Sequence, residues 1–202
     1  MPSNPPIPIE SSALLVVDVQ DSFKALPRWE RRGNPDFERN VERLVASYRD
    51  AGLPVVFILH TDEDGPFSRT SPHFKLMDFL APRDGEPVHV KTTRNSFTST
   101  SLQRDLLLAG VRRIVVTGIQ TEQCCETTAR VGADLGFDVD FVTEATLTFP
   151  IANPETGKEL SVDDVVERTE YALRGRFARI ATVDAIVAEL GKAKAACGRS
   201  SS

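Results

Sequence analysis

Cysteine is scarce in this chain: there are three in 202 residues, two of them adjacent. So few thiols cannot build the disulfide framework that staples a small secreted fold. No CxxC or CxxH pair occurs, so the ligand spacing of a structural zinc site is missing. Long apolar runs are absent as well, and none approaches the roughly 18 residues that would cross a bilayer. The net charge is −5 with acidic and basic residues intermixed. There is no basic stripe, which argues against nucleic acid as a partner, as the lack of a long apolar run argues against a membrane. The first ten residues, MPSNPPIPIE, have neither the basic region nor the apolar core of a secretory signal, so a reducing cytoplasm is the expected location. No G-x-G-x-x-G follows the first apolar run, where VVDVQDSF stands instead. That omission argues against a dinucleotide-binding domain.

What is present is ordinary globular composition, 41% hydrophobic and 26% charged, in a chain long enough for one domain with a sizeable core. The expected domain spans 1–202, with a proline-rich extended arm over 1–10 and a flexible tail over 196–202. Apolar β-formers at 13–17, 55–59, 88–90, 114–117, 139–142 and 179–182 read as six strands. Helical periodicity separates them: about 36–50, capped by Asn34 or Asp36 and stopped by Gly52 and Pro54, then 101–109, 121–135, 161–173 and 184–195. A short helix is expected near 75–80, and loops over 21–36, 60–75 and 146–161. Strands alternating with helices imply an α/β fold, a three-layer α/β/α sandwich around a mainly parallel six-stranded sheet.

The most informative stretch is RIVVTGIQTEQCCETTARV, residues 113–131. A buried strand ends at Gly118, Thr121 reads as a helix N-cap, and Cys124 falls in the first turn. Free N–H groups and the helix dipole there favour a thiolate, the form in which cysteine attacks. The plainer alternative is that Cys124 is a small buried hydrophobe. Cys125 lies about 100° further round the helix, toward Thr128, Ala129 and Gly132, and reads as core.

Ligands of such sheets gather beyond the carboxyl ends of strands where the strand order reverses. Three reactive side chains stand at such ends: Asp18, Lys91 and Cys124. Together they suffice for acyl transfer. A carboxylate can take the thiol's proton and return it to a leaving amine, a lysine can hold the acid ionised, and backbone N–H groups can hold an oxyanion. Each also has a structural alternative, since an Asp after a strand caps loops and a strand-end Lys is commonly solvated.

Three segments then carry a resemblance: LLVVDVQDSF (14–23), VKTTRNSFTSTSL (90–102) and VVTGIQTEQCCETTARVGADLGFDV (115–139). In this order and spacing they resemble the isochorismatase-like cysteine hydrolase superfamily from Ala13 to Leu190. The resemblance implies strand order 3-2-1-4-5-6 and a catalytic set of Asp18, Lys91 and Cys124, with Cys124 chosen over Cys125. It also implies a cis peptide between Ile119 and Gln120, an oxyanion hole from the backbone N–H groups of Gln120 and Cys124, and a homo-oligomer, dimer or tetramer.

The nicotinamidase branch of that superfamily holds a metal after strand two. The ligand spacing is not matched in His60-Thr61-Asp62-Glu63-Asp64, so no metal and no other cofactor is expected. Gln120 replaces the small residue usual beside the cis bond. Phe23, Trp29, His60 and Phe97 are candidate walls for a small-molecule substrate. A complete Asp–Lys–Cys set tilts the expectation toward hydrolysis of a C–N bond in a small amide or carbamoyl compound, through a Cys124 thioester. The alternatives are isochorismate pyruvate hydrolysis, which breaks a vinyl ether without needing the thiol, and a non-catalytic scaffold. On this reading the thiol labels fast at neutral pH, and replacing Lys91 costs activity but little folding.

Overall fold

The computed structural model describes residues 7–199. Residues 1–6 of the expected arm and 200–202 of the expected tail lie outside them. Of the rest of the arm, Ile9–Ser11 is a 3-10 turn with Ile9 buried, not an extended segment.

Six strands form one parallel sheet: β1 (Ser12–Val17), β2 (Val55–His60), β3 (Val88–Lys91), β4 (Arg113–Ile119), β5 (Asp138–Leu147) and, at its edge, β8 (Arg179–Ile180). Their order is β3-β2-β1-β4-β5-β8, which is the expected 3-2-1-4-5-6 of the sheet strands. Between β5 and β8, β6 (Ile151–Ala152) and β7 (Glu159–Leu160) make a small antiparallel ribbon inside the stretch expected to be loop. β1, β2 and β4 are buried along their whole length, as central parallel strands must be.

Period-two alternation divides the core. Leu14, Val16, Val55, Phe57 and Val115 pack under α1 (Phe37–Asp50) and α5 (Val183–Arg199). Ala13, Leu15, Val17, Val56, Ile114 and Val116 pack under α2 (Leu102–Leu108), α3 (Glu126–Asp134) and α4 (Val162–Leu173). Ser161 and Asp164 form the capping box that starts α4. α5 runs on to Arg199, into the expected tail. No helix among the described residues is long and apolar enough to cross a membrane.

Two local departures have clear causes. No helix forms at 75–80, because Leu76 bridges to Gln20 and the Met77 N–H donates to the Val19 carbonyl at 3.0 Å. Met77 is drawn fully into the core by that extended pairing. α1 has no side-chain cap from Asp36. Asn34, with φ of 57°, instead donates to the carbonyls of Glu144 and Thr146 at 2.9 and 2.7 Å, where β5 shifts register against β4.

The seam between β1 and β4 fixes the site. Gly118 has φ of 128°, and a Cβ built there falls 1.9 Å from the Val17 carbonyl oxygen. Only glycine allows β4 to pass so close to the end of β1, where Asp18 takes φ of 53°. Gly118→Ala is therefore expected to lower unfolding free energy by about 2–4 kcal/mol. Urea denaturation checks this, and an unchanged midpoint counts against the seam.

Candidate active site

Asp18 follows β1, Lys91 ends β3, and Cys124 lies in the turn after β4. The three converge. Lys91 Nζ is 2.7 Å from Asp18 Oδ2 and donates to Cys124 Sγ at 3.4 Å. It also donates to the Thr93 carbonyl at 3.1 Å. Asp18 and Lys91 are 0% exposed and Cys124 6%. The Lys91 ammonium lies off hydrogen-bond direction from the carboxylate, so both Asp18 oxygens lack a well-aligned donor. An ion pair is what Asp18 has, together with the adjacent thiol.

The helix after β4 begins differently from the expected N-cap arrangement. Thr121–Cys125 is a π-helical turn entered from Gln120, and no side chain caps it. Thr121 donates its hydroxyl to Thr146 Oγ1 at 2.8 Å, spending it on the β5 bulge. The Ile119–Gln120 peptide is cis. Cys125 is fully buried in the core cluster under α3.

Electrostatics overturn the expected thiolate. Burial, reinforced by the Asp18 charge and only partly opposed by Lys91, pushes the Cys124 thiol up to about 12. Burial also raises Asp18, against the pull of Lys91 and the thiol. The Cys124 thiol thus keeps its proton at neutral pH, and the dipole of a short turn does not compensate for desolvation. His60 is pushed below its ordinary value by burial and by Lys91, leaving a neutral ring.

Of the candidate wall residues, three gather. Trp29, Phe149, Phe23, Phe67 and His60 form a continuous row of rings, with successive centroids 6.4, 6.2, 4.9 and 5.9 Å apart. Phe97 does not join them. It stacks on Phe137 at 6.0 Å in the core beneath α3. Gln20 sets the far wall: its side chain takes the His60 N–H at 2.7 Å and donates to the His60 carbonyl at 3.1 Å.

Two arginines that the sequence reading passed over complete the surroundings. Arg94 Nη1 meets His60 Nε2 at 2.7 Å. Arg28 lies over Phe149, 5.0 Å from the ring centre. With its amide turned to suit its neighbours, Gln120 accepts from Arg28 Nη2 and donates to Glu122 Oε1, both at 3.3 Å. Arg94 sits three residues past Lys91 in the KTTRNSF block, a usable signal; Arg28, Phe67 and Phe149 come from loops whose path no pattern fixed.

The metal of the nicotinamidase branch does not fit here. His60 Nε2 is met by both Asp62 Oδ1, at 2.9 Å, and the Arg94 guanidinium, which places a positive charge where a cation would bind. Among the described residues no group of three or more potential ligands is suited to a metal ion.

The model of the isochorismatase domain matches residues 12–182. The chain belongs to the isochorismatase family and is a hydrolase of that class. The particular resemblances bear this out in detail. It is 31% identical over 181 residues to the isochorismatase family protein YrdC of Bacillus subtilis, covering 88% of this chain and 95% of that one. It is 32% identical to nicotinamidase 3 of Arabidopsis thaliana, over 68% and 74% of the two chains. A crystal structure of an isochorismatase-family hydrolase from Chromobacterium violaceum superposes with a TM-score of 0.86 at 28% identity, over 95% and 100% of the chains.

Because the ion pair is fully enclosed, replacing Lys91 should cost more folding stability than the sequence alone leads one to expect. Lys91→Met strands a buried carboxylate and is expected to cost about 3–5 kcal/mol, most of it recovered in the Lys91→Met/Asp18→Asn double variant. Additive losses in a double-mutant cycle would remove the coupling. Iodoacetamide should label Cys124 slowly at pH 7, the rate climbing about tenfold per pH unit toward the thiol's high pKa. Peptide mapping that finds rapid, pH-independent labelling of Cys124 would refute the raised pKa.

Proposed function

We propose that the protein is a cysteine amidohydrolase acting on a C–N bond of a small amide or carbamoyl compound. The observation that carries this is the contact of one buried amine with both a carboxylate and a thiol, 2.7 and 3.4 Å away. On this reading Asp18 takes the Sγ proton as sulfur attacks the substrate carbonyl carbon, so the thiolate forms only as it reacts. A base beside a neutral thiol is the arrangement that a thiol pKa near 12 requires. The backbone N–H groups of Gln120 and Cys124 take up the charge on the carbonyl oxygen. The tetrahedral intermediate collapses, the C–N bond breaks, and Asp18 returns its proton to the leaving nitrogen. Asp18 then draws a proton from water, whose oxygen attacks the thioester and frees the acid and the thiol.

Lys91 keeps Asp18 ionised and steadies the sulfur. The nicotinamidase relative supports this class, since its name declares an amide-cleaving activity. A cytoplasmic homo-oligomer remains part of the proposal.

Cys124→Ala should reduce ammonia release across a panel of small carboxamides and carbamoyl compounds by at least about a thousandfold. The wild-type protein should accumulate an acyl adduct on the Cys124 peptide that hydroxylamine removes. Turnover that survives Cys124→Ala would end the thioester mechanism.

A further inference from the structure

The thioester reading leaves the substrate open, but two guanidinium groups are each joined to the site through a single side chain. Arg94 Nη1 reaches His60 Nε2 at 2.7 Å, and His60 Nδ1 is 3.3 Å from Lys91 Nζ, so one ring separates the guanidinium from the buried amine. On the other flank Arg28 Nη2 bonds the side chain of Gln120, the residue that opens the turn bearing Cys124. Both arginines are on the solvent side and both are held: Arg28 against the buried Phe149 ring, Arg94 against His60.

We infer that the substrate is a small amide or carbamoyl compound bearing a free carboxylate, and that Arg28 and Arg94 grip that carboxylate while its carbonyl lies on Cys124. The inference rests on the thioester reading and names the substrate class for that same site.

Four observations converge on it. Among the described residues neither guanidinium is in an ion pair, whereas structural arginines such as Arg49 and Arg113 are closed onto Glu86 and Asp140. The carboxylates near them are engaged elsewhere. Asp62 is on His60 at 2.9 Å, and Glu122 accepts from Thr148 Oγ1 at 2.5 Å. Arg28 is lowered by burial and, further, by the charge of Arg94, with Glu122 opposing, so the two like charges are close enough to repel. An incoming carboxylate relieves that repulsion and matches the planar fork of a pinned guanidinium. The row of rings from Trp29 to His60, mostly packed edge to face or tilted, supplies an apolar wall beside the same arginines, suited to a short carbon skeleton between carboxylate and amide.

The test uses matched probes: succinamate against butyramide, and 3-ureidopropionate against propylurea. Calorimetric titration of Cys124→Ala protein, which cannot turn them over, should show the carboxylated member of at least one pair binding at least about tenfold tighter. Adding Arg28→Gln or Arg94→Gln should weaken that binding about tenfold to a hundredfold and leave the neutral member unchanged. Arg28→Lys should restore part of the loss. In the wild-type background the same split should appear in kcat/KM for ammonia release.

Equal binding within both pairs, no binding of either carboxylate, equal losses on charged and neutral probes, or displacement by inorganic phosphate as strong as by the carboxylate would each overturn the inference. Cys124-dependent hydrolysis of the neutral amides with no advantage for the charged ones overturns the carboxylate assignment and spares the thioester reading. Arginine-dependent carboxylate binding without any Cys124-dependent hydrolysis does the reverse.

Discussion

A carboxylate and an ammonium, both wholly shut away from water, set the terms for the rest of this molecule. Neither Asp18 nor Lys91 could be buried alone, because a desolvated charge without its counter-ion costs several kcal/mol. They arrive from β1 and β3, which are not neighbours, so Lys91 must reach past the end of β2. The sheet order, the left-handed backbone at Asp18 and the close passage of Gly118 all serve that meeting. The thiol on the next turn borrows a pair that the fold already needs.

Burial makes the chemistry conditional. A cysteine next to a helix start suggests an ionised sulfur, but here desolvation and a neighbouring negative charge outweigh the amine and keep the proton on. On the proposed mechanism such a centre is quiet until a carbonyl arrives, since attack and deprotonation then occur together. Thiolate-dependent side reactions with small electrophiles are suppressed by the same arrangement.

Much of this was legible in the residues. Alternating apolar runs and Gly-terminated strands placed the sheet, and Asp18, Lys91 and Cys124 stood out because three reactive groups fell at strand ends. What stayed hidden depended on tertiary contact. Thr121 looks like a cap, yet a hydroxyl partner on β5 claims it. The run 75–80 has helical composition, but pairing with Gln20 keeps Leu76 extended. Phe97 reads as a pocket wall beside the lysine block, while Phe137 and Gly132 draw it inward. The raised thiol pKa could not be read from spacing because it arises from enclosure. Arg28 and Phe149 meet across more than a hundred residues of chain, and no local pattern records that.

The double hydrogen bond from Gln20 to the main chain of His60 has a practical corollary. It ties the last residue of β2 to the turn after β1. Phe67 and Met77 of the connection that follows belong to the core, so only its exposed turn at Arg69–Thr70 can be exchanged without disturbing the acid, the amine or the sulfur. Grafting foreign loops at that turn offers a rational route to new substrate ranges on the proposed reaction centre.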